Sequence, residues 1–341
     1  MSTFTQATQP VTPDAILQLG FAWWGSKTLL SAVELGLFSK LAASGSLDTD
    51  ELRAMLGLHP RGARDFLDGL VALNLLERDN GCYRNTPATD VFLDAAKPSY
   101  LGDFLLMAGN RPTWDGLTNA LRSGRPQHES DAEDDFFDAV YPDPDKLAEF
   151  LRAMTANSAG SARALADAFA WERYRSVIDI GCAEGAAPVA LARAHEHLRC
   201  GGFDLPLVRP FFEQFAARTG VAERVRFHAG DFFADELPPA DVYVMGHILH
   251  DWNLEQKRLL IAKAHAALPS GGALIVYETL IDDDRRENTF GLLMSLNMLV
   301  ETRGGFDFTG ADCQRWMTDA GFSETSVQHL IGPVSMVVAT K

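Results

Sequence analysis

What this chain lacks narrows its class before any motif is read. Cysteine is scarce: Cys82, Cys182, Cys200 and Cys313 are scattered over 341 residues and form no CxxC pair. That spacing argues against a structural zinc site and fits a reduced, cytoplasmic setting. No apolar run reaches the length of a membrane span. The first fifteen residues have neither a basic n-region nor an apolar h-segment, so they do not read as a signal peptide. Basic charge is in deficit, with 30 Lys and Arg against 46 Asp and Glu and a formal net charge of −16. A field of that sign repels nucleic acid and anionic lipid but not a cationic ligand. Much of the excess is local: residues 129–145 hold eight acidic side chains in seventeen and no basic one, which reads as a solvated connection. Internal repeats and low-complexity tracts are absent as well.

What is there suits two domains joined by helices. The texture divides the chain into 1–100, 101–170 and 171–341. Residues 16–42 are helical in pattern and apolar on more than one face, as expected of a helix buried from several sides, a second subunit included. Asp48 or Thr49 can cap the next helix, which Gly57 ends. A helix over about 60–74 follows, then two short strands turning at Asn80-Gly81. Helix, helix and hairpin make a winged-helix pattern. Its reading helix carries Asp65 and Asp68 beside Arg61 and Arg64, which is not the basic stripe that DNA binding needs. Residues 100–125 and 146–170 read as helices. From 176 onward short apolar runs alternate with helices, which predicts an α/β fold with a doubly wound, mostly parallel sheet. The last two strands, near 324–330 and 334–340, are close enough in sequence to be antiparallel.

The chemistry sits at strand ends. The strand over 177–180 runs into Gly181-Cys182-Ala183-Glu184-Gly185, a turn that lets a ligand approach the backbone at a helix N-terminus. The next strand ends at Asp204-Leu205, nineteen residues beyond Gly185, where a carboxylate can accept both ribose hydroxyls of a nucleoside. The third ends at Asp231, placed to accept from an adenine amino group while Phe232 packs on the ring; a helix cap and a core position are the plainer alternatives. The fourth leads through Gly246 into His250-Asp251-Trp252, at the strand end where side chains face a ligand crevice. These features support a bound nucleoside without separating a nicotinamide cofactor from S-adenosylmethionine.

The order of motifs is more specific than any one of them. DxGxxxG at 179–185, DLP at 204–206, GDFF at 230–233, HDW at 250–252 and paired glycines with a Thr at 304–309 together resemble the small-molecule O-methyltransferases of plants and bacteria. That family includes the caffeate, acetylserotonin, hydroxyneurosporene and polyketide-tailoring enzymes. The resemblance spans nearly the whole chain. It implies a Rossmann-like class I methyltransferase domain behind a winged-helix dimerisation domain. S-adenosylmethionine is then the co-substrate, with no metal, and the partners are a small aromatic hydroxyl acceptor and a second copy of the chain. His250 inherits the role of general base, with Glu278 and Asp307 as the acidic residues that orient it. Glu278 is expected to be the firmer partner, because Asp307 stands where plant members usually have the longer Glu. The donor site falls on Gly181, Ala183, Gly185, Asp204, Leu205, Asp231, Phe232, Gly246 and Trp252. Ala183 replaces the family's middle glycine, and Gly246 stands where plant members often have Lys. Acceptor contacts are expected from Phe104, Met107, Trp114, Met154, Asn157, Met294, Asn297 and Met298, and Arg303 can pair with an acceptor carboxylate. The alternative is a repurposed enzyme of the same fold that binds the donor but hydroxylates, decarboxylates or runs a pericyclic step.

Overall fold

The computed structural model describes residues 11–109, 112–127 and 136–341. The first ten residues and residues 128–135 lie outside the described residues, and with them fall most of the segment that does not read as a signal peptide and the start of the acidic stretch read as a solvated connection. The chain packs as two units, 1–110 and 111–341.

In the first unit the helices Asp14–Glu34 and Leu37–Ser44 replace the single helix expected over 16–42. The break is at Gly36, whose φ of 67° no other residue adopts as cheaply. Asp48 caps the helix Thr49–Leu56 by accepting from the amides of Asp50 and Glu51, and Gly57 closes it in the left-handed region. The helix Pro60–Ala72 follows. A small sheet is built from β1 (Leu47–Asp48), β2 (Leu76–Asp79) and β3 (Cys82–Asn85), in the order β1-β3-β2. Asn80 and Gly81 both have positive φ, at 48° and 86°, as a two-residue hairpin turn requires. The two-residue strand β1 is too short to show in the sequence. On the would-be reading helix, Asp68 pairs with Arg64 at 3.6 Å and with Arg78 of β2, so Arg64 is already partnered.

The second unit holds seven strands: β4 (Ser176–Ile180), β5 (Arg199–Asp204), β6 (Val225–Ala229), β7 (Val242–Gly246), β8 (Ala273–Glu278), β9 (Glu324–Ile331) and β10 (Val334–Thr340). Their order is β6-β5-β4-β7-β8-β10-β9, with β10 antiparallel to both its neighbours and the remaining pairs parallel. This is the predicted doubly wound sheet with one reversed strand. β8 is buried along its whole length, as a central strand covered on both faces must be. The strand order reverses between β4 and β7, and a crevice opens outside the carboxyl ends of strands at such a switch point. The glycine turn after β4 and the His250 turn after β7 therefore flank one crevice. Among the described residues no helix is long and apolar enough to cross a membrane, and all four cysteines are free.

Candidate active site

The turn after β4 is built for close approach. Gly181 has φ 71° and Gly185 φ 94°, and Ala183 between them is held at φ 49°, a conformation that L-residues with a Cβ adopt only at a cost. The departure from glycine at 183 thus preserves the backbone shape. A Cβ on Gly181 would stand 2.4 Å from Ile248 Cδ1, so this turn touches the one that carries His250. Asp204 braces the same turn. One carboxylate oxygen accepts from the Ala183 amide at 2.9 Å and the other from Leu205 at 2.8 Å, and burial pushes its pKa up to about 6. Asp231 accepts from the amide of Phe233 at 2.8 Å; no helix begins there, so the expected helix cap is instead a cap on a short turn. Phe232 packs edge-on against Phe233 and Trp252, and Phe137 stacks on Trp252 with ring centres 5.8 Å apart. Among the described residues, the buried Trp252 Nε1 has no hydrogen-bond partner. Gly246 is set by packing, because a Cβ there would lie 1.9 Å from the Tyr277 ring.

His250 is buried on a 3-10 turn, Leu249–Asp251, that follows β7. Its Nδ1 lies 3.4 Å from Asp307 and 3.9 Å from Glu278, and Nε2 lies 3.5 Å from Asp251. The order of distances reverses the expectation: Asp307, despite its shorter arm, is nearer than Glu278. The paired glycines explain the reach. A Cβ on Gly305 would stand 2.6 Å from the His250 carbonyl, so only glycine lets the 302–307 segment come this close. Phe306 then donates to the His250 carbonyl at 2.8 Å, and the Asp307 amide donates to Ser295 Oγ at 3.1 Å.

Glu278, at the end of β8, divides its oxygens. Oε1 accepts from the amides of Ile248 and Leu249 at 3.1 and 3.0 Å and of His250 at 3.4 Å, which holds the turn. Oε2 faces His247 Nδ1 at 3.5 Å and His250. Among the described residues, His250 Nδ1, Glu278 Oε2 and Asp307 Oδ2 are all enclosed without a hydrogen-bond partner. Burial alone would lower the proton affinity of His250. The charges of Glu278, Asp251 and Asp307 outweigh it and push the pKa up to about 10. His247, His250 and Glu278 also place ligand atoms within 4.8 Å of one another, a set that has the chemistry to take a divalent ion as well as to pass a proton.

Of the expected acceptor residues, Trp114 and Asn297 meet directly: the indole Nε1 donates to Asn297 Oδ1 at 2.8 Å. The helix Thr289–Glu301 carries Met294, Asn297 and Met298, together with the Ser295 that fixes Asp307. Met154 and Asn157 lie half-buried on the helix Pro144–Ala168. Phe104 and Met107 fall in the first unit, on the helix Gly102–Gly109.

Two residues that the sequence did not single out belong to this neighbourhood. Tyr141 packs in one cluster with Cys182, and burial, with the charges of Asp204 and Asp251, raises its phenol far above the usual range. Lys257 is fully buried on the helix Leu254–Ala267. A lone Tyr within an acidic run and a lone Lys in a helix carry no motif.

A switch-point crevice with a glycine turn, a carboxylate at the next strand end and a buried imidazole between carboxylates has the chemistry to hold a nucleoside beside a group that can move a proton. Comparison with known proteins gives the class. Residues 114–323 match the O-methyltransferase domain family and residues 17–95 the O-methyltransferase dimerisation domain. The chain is 47% identical to the tetracenomycin polyketide synthesis 8-O-methyltransferase TcmO of Streptomyces glaucescens, over 96% of this chain and 97% of that one. It is 42% identical to the N,N-dimethyltransferase OxyT of Streptomyces rimosus, over 81% and 82%. The solved structure of human N-acetylserotonin methyltransferase with S-adenosylmethionine superposes with a TM-score of 0.88 at 28% identity, covering 98% of this chain and 99% of that one. The chain belongs to the O-methyltransferase family: it is an S-adenosylmethionine-dependent O-methyltransferase.

Proposed function

We propose that this enzyme methylates a hydroxyl of a small aromatic acceptor of the polyketide type, with His250 as the general base. The observation that carries the reading is the enclosed imidazole whose Nδ1 faces Asp307 and Glu278, on a turn that abuts the glycine loop. The relationship to TcmO supports the acceptor class.

S-adenosylmethionine supplies a methyl group on a sulfonium, which loses its charge as the acceptor oxygen gains the methyl. The chain's own work is to hold the acceptor oxygen in line and take its proton. A phenol has a pKa of about 10 and a free imidazole about 6.5, so unaided proton transfer costs roughly 5 kcal/mol. With His250 pushed up to about 10, that mismatch nearly closes. The carboxylates at Nδ1 fix the tautomer that leaves Nε2 as the accepting atom. On the donor side, Gly181, Ala183 and Gly185 leave backbone open to the donor, and Asp204 takes the ribose. Asp231, Phe232 and Trp252 flank the adenine. Trp114, Asn297, Met294 and Met298 line the acceptor side, where the indole–amide hydrogen bond orients Asn297.

Replacing His250 with Ala tests the base. Donor binding, followed by calorimetry, is expected to stay within about threefold, while methyl transfer falls by about 10²–10⁴. Turnover that survives the replacement with a phenolic acceptor removes His250 from the role. Equal yields of methylated product and S-adenosylhomocysteine separate methyl transfer from a repurposed reaction.

A further inference from the structure

The turn over 231–235 carries two of the residues assigned to the adenine, and it is tied back on itself. The Asp231 carbonyl accepts from the amides of Ala234 and Asp235 at 3.1 and 2.7 Å, and the Asp235 carboxylate accepts from the Asp231 amide at 2.8 Å. Asp231 Oδ1 takes the Phe233 amide, which leaves Oδ2 open. The same knot turns the carbonyls of Phe232, Phe233 and Asp235 outward. Among the described residues no backbone amide reaches those three.

Lys263 takes all of them. It sits on the helix Leu254–Ala267, and its Nζ donates to the carbonyls of Phe232, Phe233 and Asp235 at 2.7, 3.1 and 2.7 Å. An ammonium has three hydrogens, and each finds an acceptor here. Hydrogen bonds from a charged donor are about twice as strong as neutral ones. None of the three acceptors is a side-chain group, so the ammonium grips the path of the backbone. The turn is partly exposed at Ala234 and Asp235, so water could satisfy its carbonyls. What water cannot do is fix where they point. Trp252 holds the other side of the turn, edge-on to Phe233 and Phe232 with ring centres 4.7 and 5.8 Å apart. Asn253 caps the helix directly after it. One helix therefore grips the turn at two points, by an aromatic ring and by an ammonium.

We propose that Lys263 is a positioning residue for the adenine end of the donor: it fixes the backbone path that aims Asp231 Oδ2 and Phe232 at the purine. The inference rests on the assignment of those two residues to the adenine. The purine is the same in the donor, in the transition state and in the product, so contact with it is uniform binding. Loosening the turn must then weaken the donor and S-adenosylhomocysteine by one common factor and leave kcat at saturating donor unchanged.

The test is calorimetric binding of S-adenosylhomocysteine and of 5′-methylthioadenosine, which keeps the nucleoside and lacks the amino-acid end, to Lys263→Met, Lys263→Arg, Asp231→Asn and the Lys263→Met/Asp231→Asn double variant, with kcat measured alongside. Asp231→Asn keeps an acceptor for the Phe233 amide and turns a donor toward the purine amino group. The expected result for Lys263→Met is about tenfold weaker binding of both compounds, with kcat within about twofold of wild type. Arg, which retains charged donors, should recover affinity to within about threefold. In the double variant the loss should fall short of the product of the two single losses, because the lysine acts through Asp231. Should Met fail to fold, Lys263→Gln makes the same comparison. Wild-type affinity in a Lys263 variant that has lost thermal stability overturns the proposal, since a merely structural lysine moves stability and not affinity. A loss seen with S-adenosylhomocysteine but not with 5′-methylthioadenosine, or losses that multiply in full in the double variant, overturn it as well. If Asp231→Asn alone leaves both affinities unchanged, the adenine assignment fails first and the proposal falls with it.

Discussion

At the scale of single residues, the site trades availability for strength. The carboxylates around His250, which the proposed role as base toward a phenol calls on, also hold it protonated well above neutral pH, since its pKa is pushed up to about 10. A raised pKa means that the base form is scarce below that value and gained as pH rises through it. The donor changes the balance, because a sulfonium near enough to deliver its methyl group to the same oxygen disfavours a second positive charge on the imidazole. The ascending limb of kcat/KM, which reports free enzyme, should therefore lie above pH 8, and that of kcat, which reports the complex, at least about one unit lower. Rate profiles between pH 6 and 10 check this. Coincident limbs would mean that the donor does not reset the base. The family resemblance pointed to both Glu278 and Asp307 as neighbours of His250. It did not give their order. Arm length suggested Glu278, but the distances of 3.4 and 3.9 Å are set by how closely the backbones approach, and residue type does not encode that.

At the scale of elements, glycine pairs and caps did most of the specifying. Asn80-Gly81, Asp48 and Gly57 could each be placed from the sequence because their chemistry is local. Gly36 was missed as a break because the apolar pattern runs through it on both sides. Gly304-Gly305 was legible as a motif, yet its reason appears only in three dimensions, where a Cβ on Gly305 would meet the carbonyls of His250 and Asp251 at 2.6 and 2.8 Å. Those are backbone atoms that cannot step aside cheaply. Gly305→Ala should accordingly cost about 1–3 kcal/mol of stability and reduce turnover more than donor affinity, because the displaced segment carries Asp307. Gly62→Ala, in a helix with nothing within 4 Å of the added carbon, is the control and should be neutral or stabilising by about 1 kcal/mol. Chemical denaturation together with donor titration distinguishes the two. Equal effects from both substitutions would mean that the close approach does not matter.

At the scale of the whole molecule, the sheet order puts the glycine turn and the His250 turn on adjacent strands, and this was readable because each motif sits at a strand end. The N-terminal helix was readable for the opposite reason: it has too many apolar residues for its own unit to bury. Along Asp14–Glu34, Ile16, Leu17, Leu19, Phe21, Trp23 and Trp24 are exposed, with Ile16 and Leu19 at 77% and 79%. A monomer that presented such a surface to water would be prone to associate. The dimerisation domain matched over residues 17–95 contains most of this helix, which supports a homodimer. A two-fold interface uses the same patch on both copies, so each substitution acts twice. Replacing Trp23 and Trp24 together with Glu sets four carboxylates into the apolar seam if the helix forms it. Sedimentation should then shift from twice the 37.3 kDa chain mass to that mass alone. The isolated chain would keep its second unit, and with it the glycine turn, His250, Glu278 and Asp307, all of which lie in residues 111–341. Donor binding should therefore survive the loss of the dimer with Kd within about threefold, a free-energy change of under about 1 kcal/mol. A double variant that still sediments as a dimer would move the interface off this helix, and one that loses donor binding along with the dimer would show that the second copy supports the donor site.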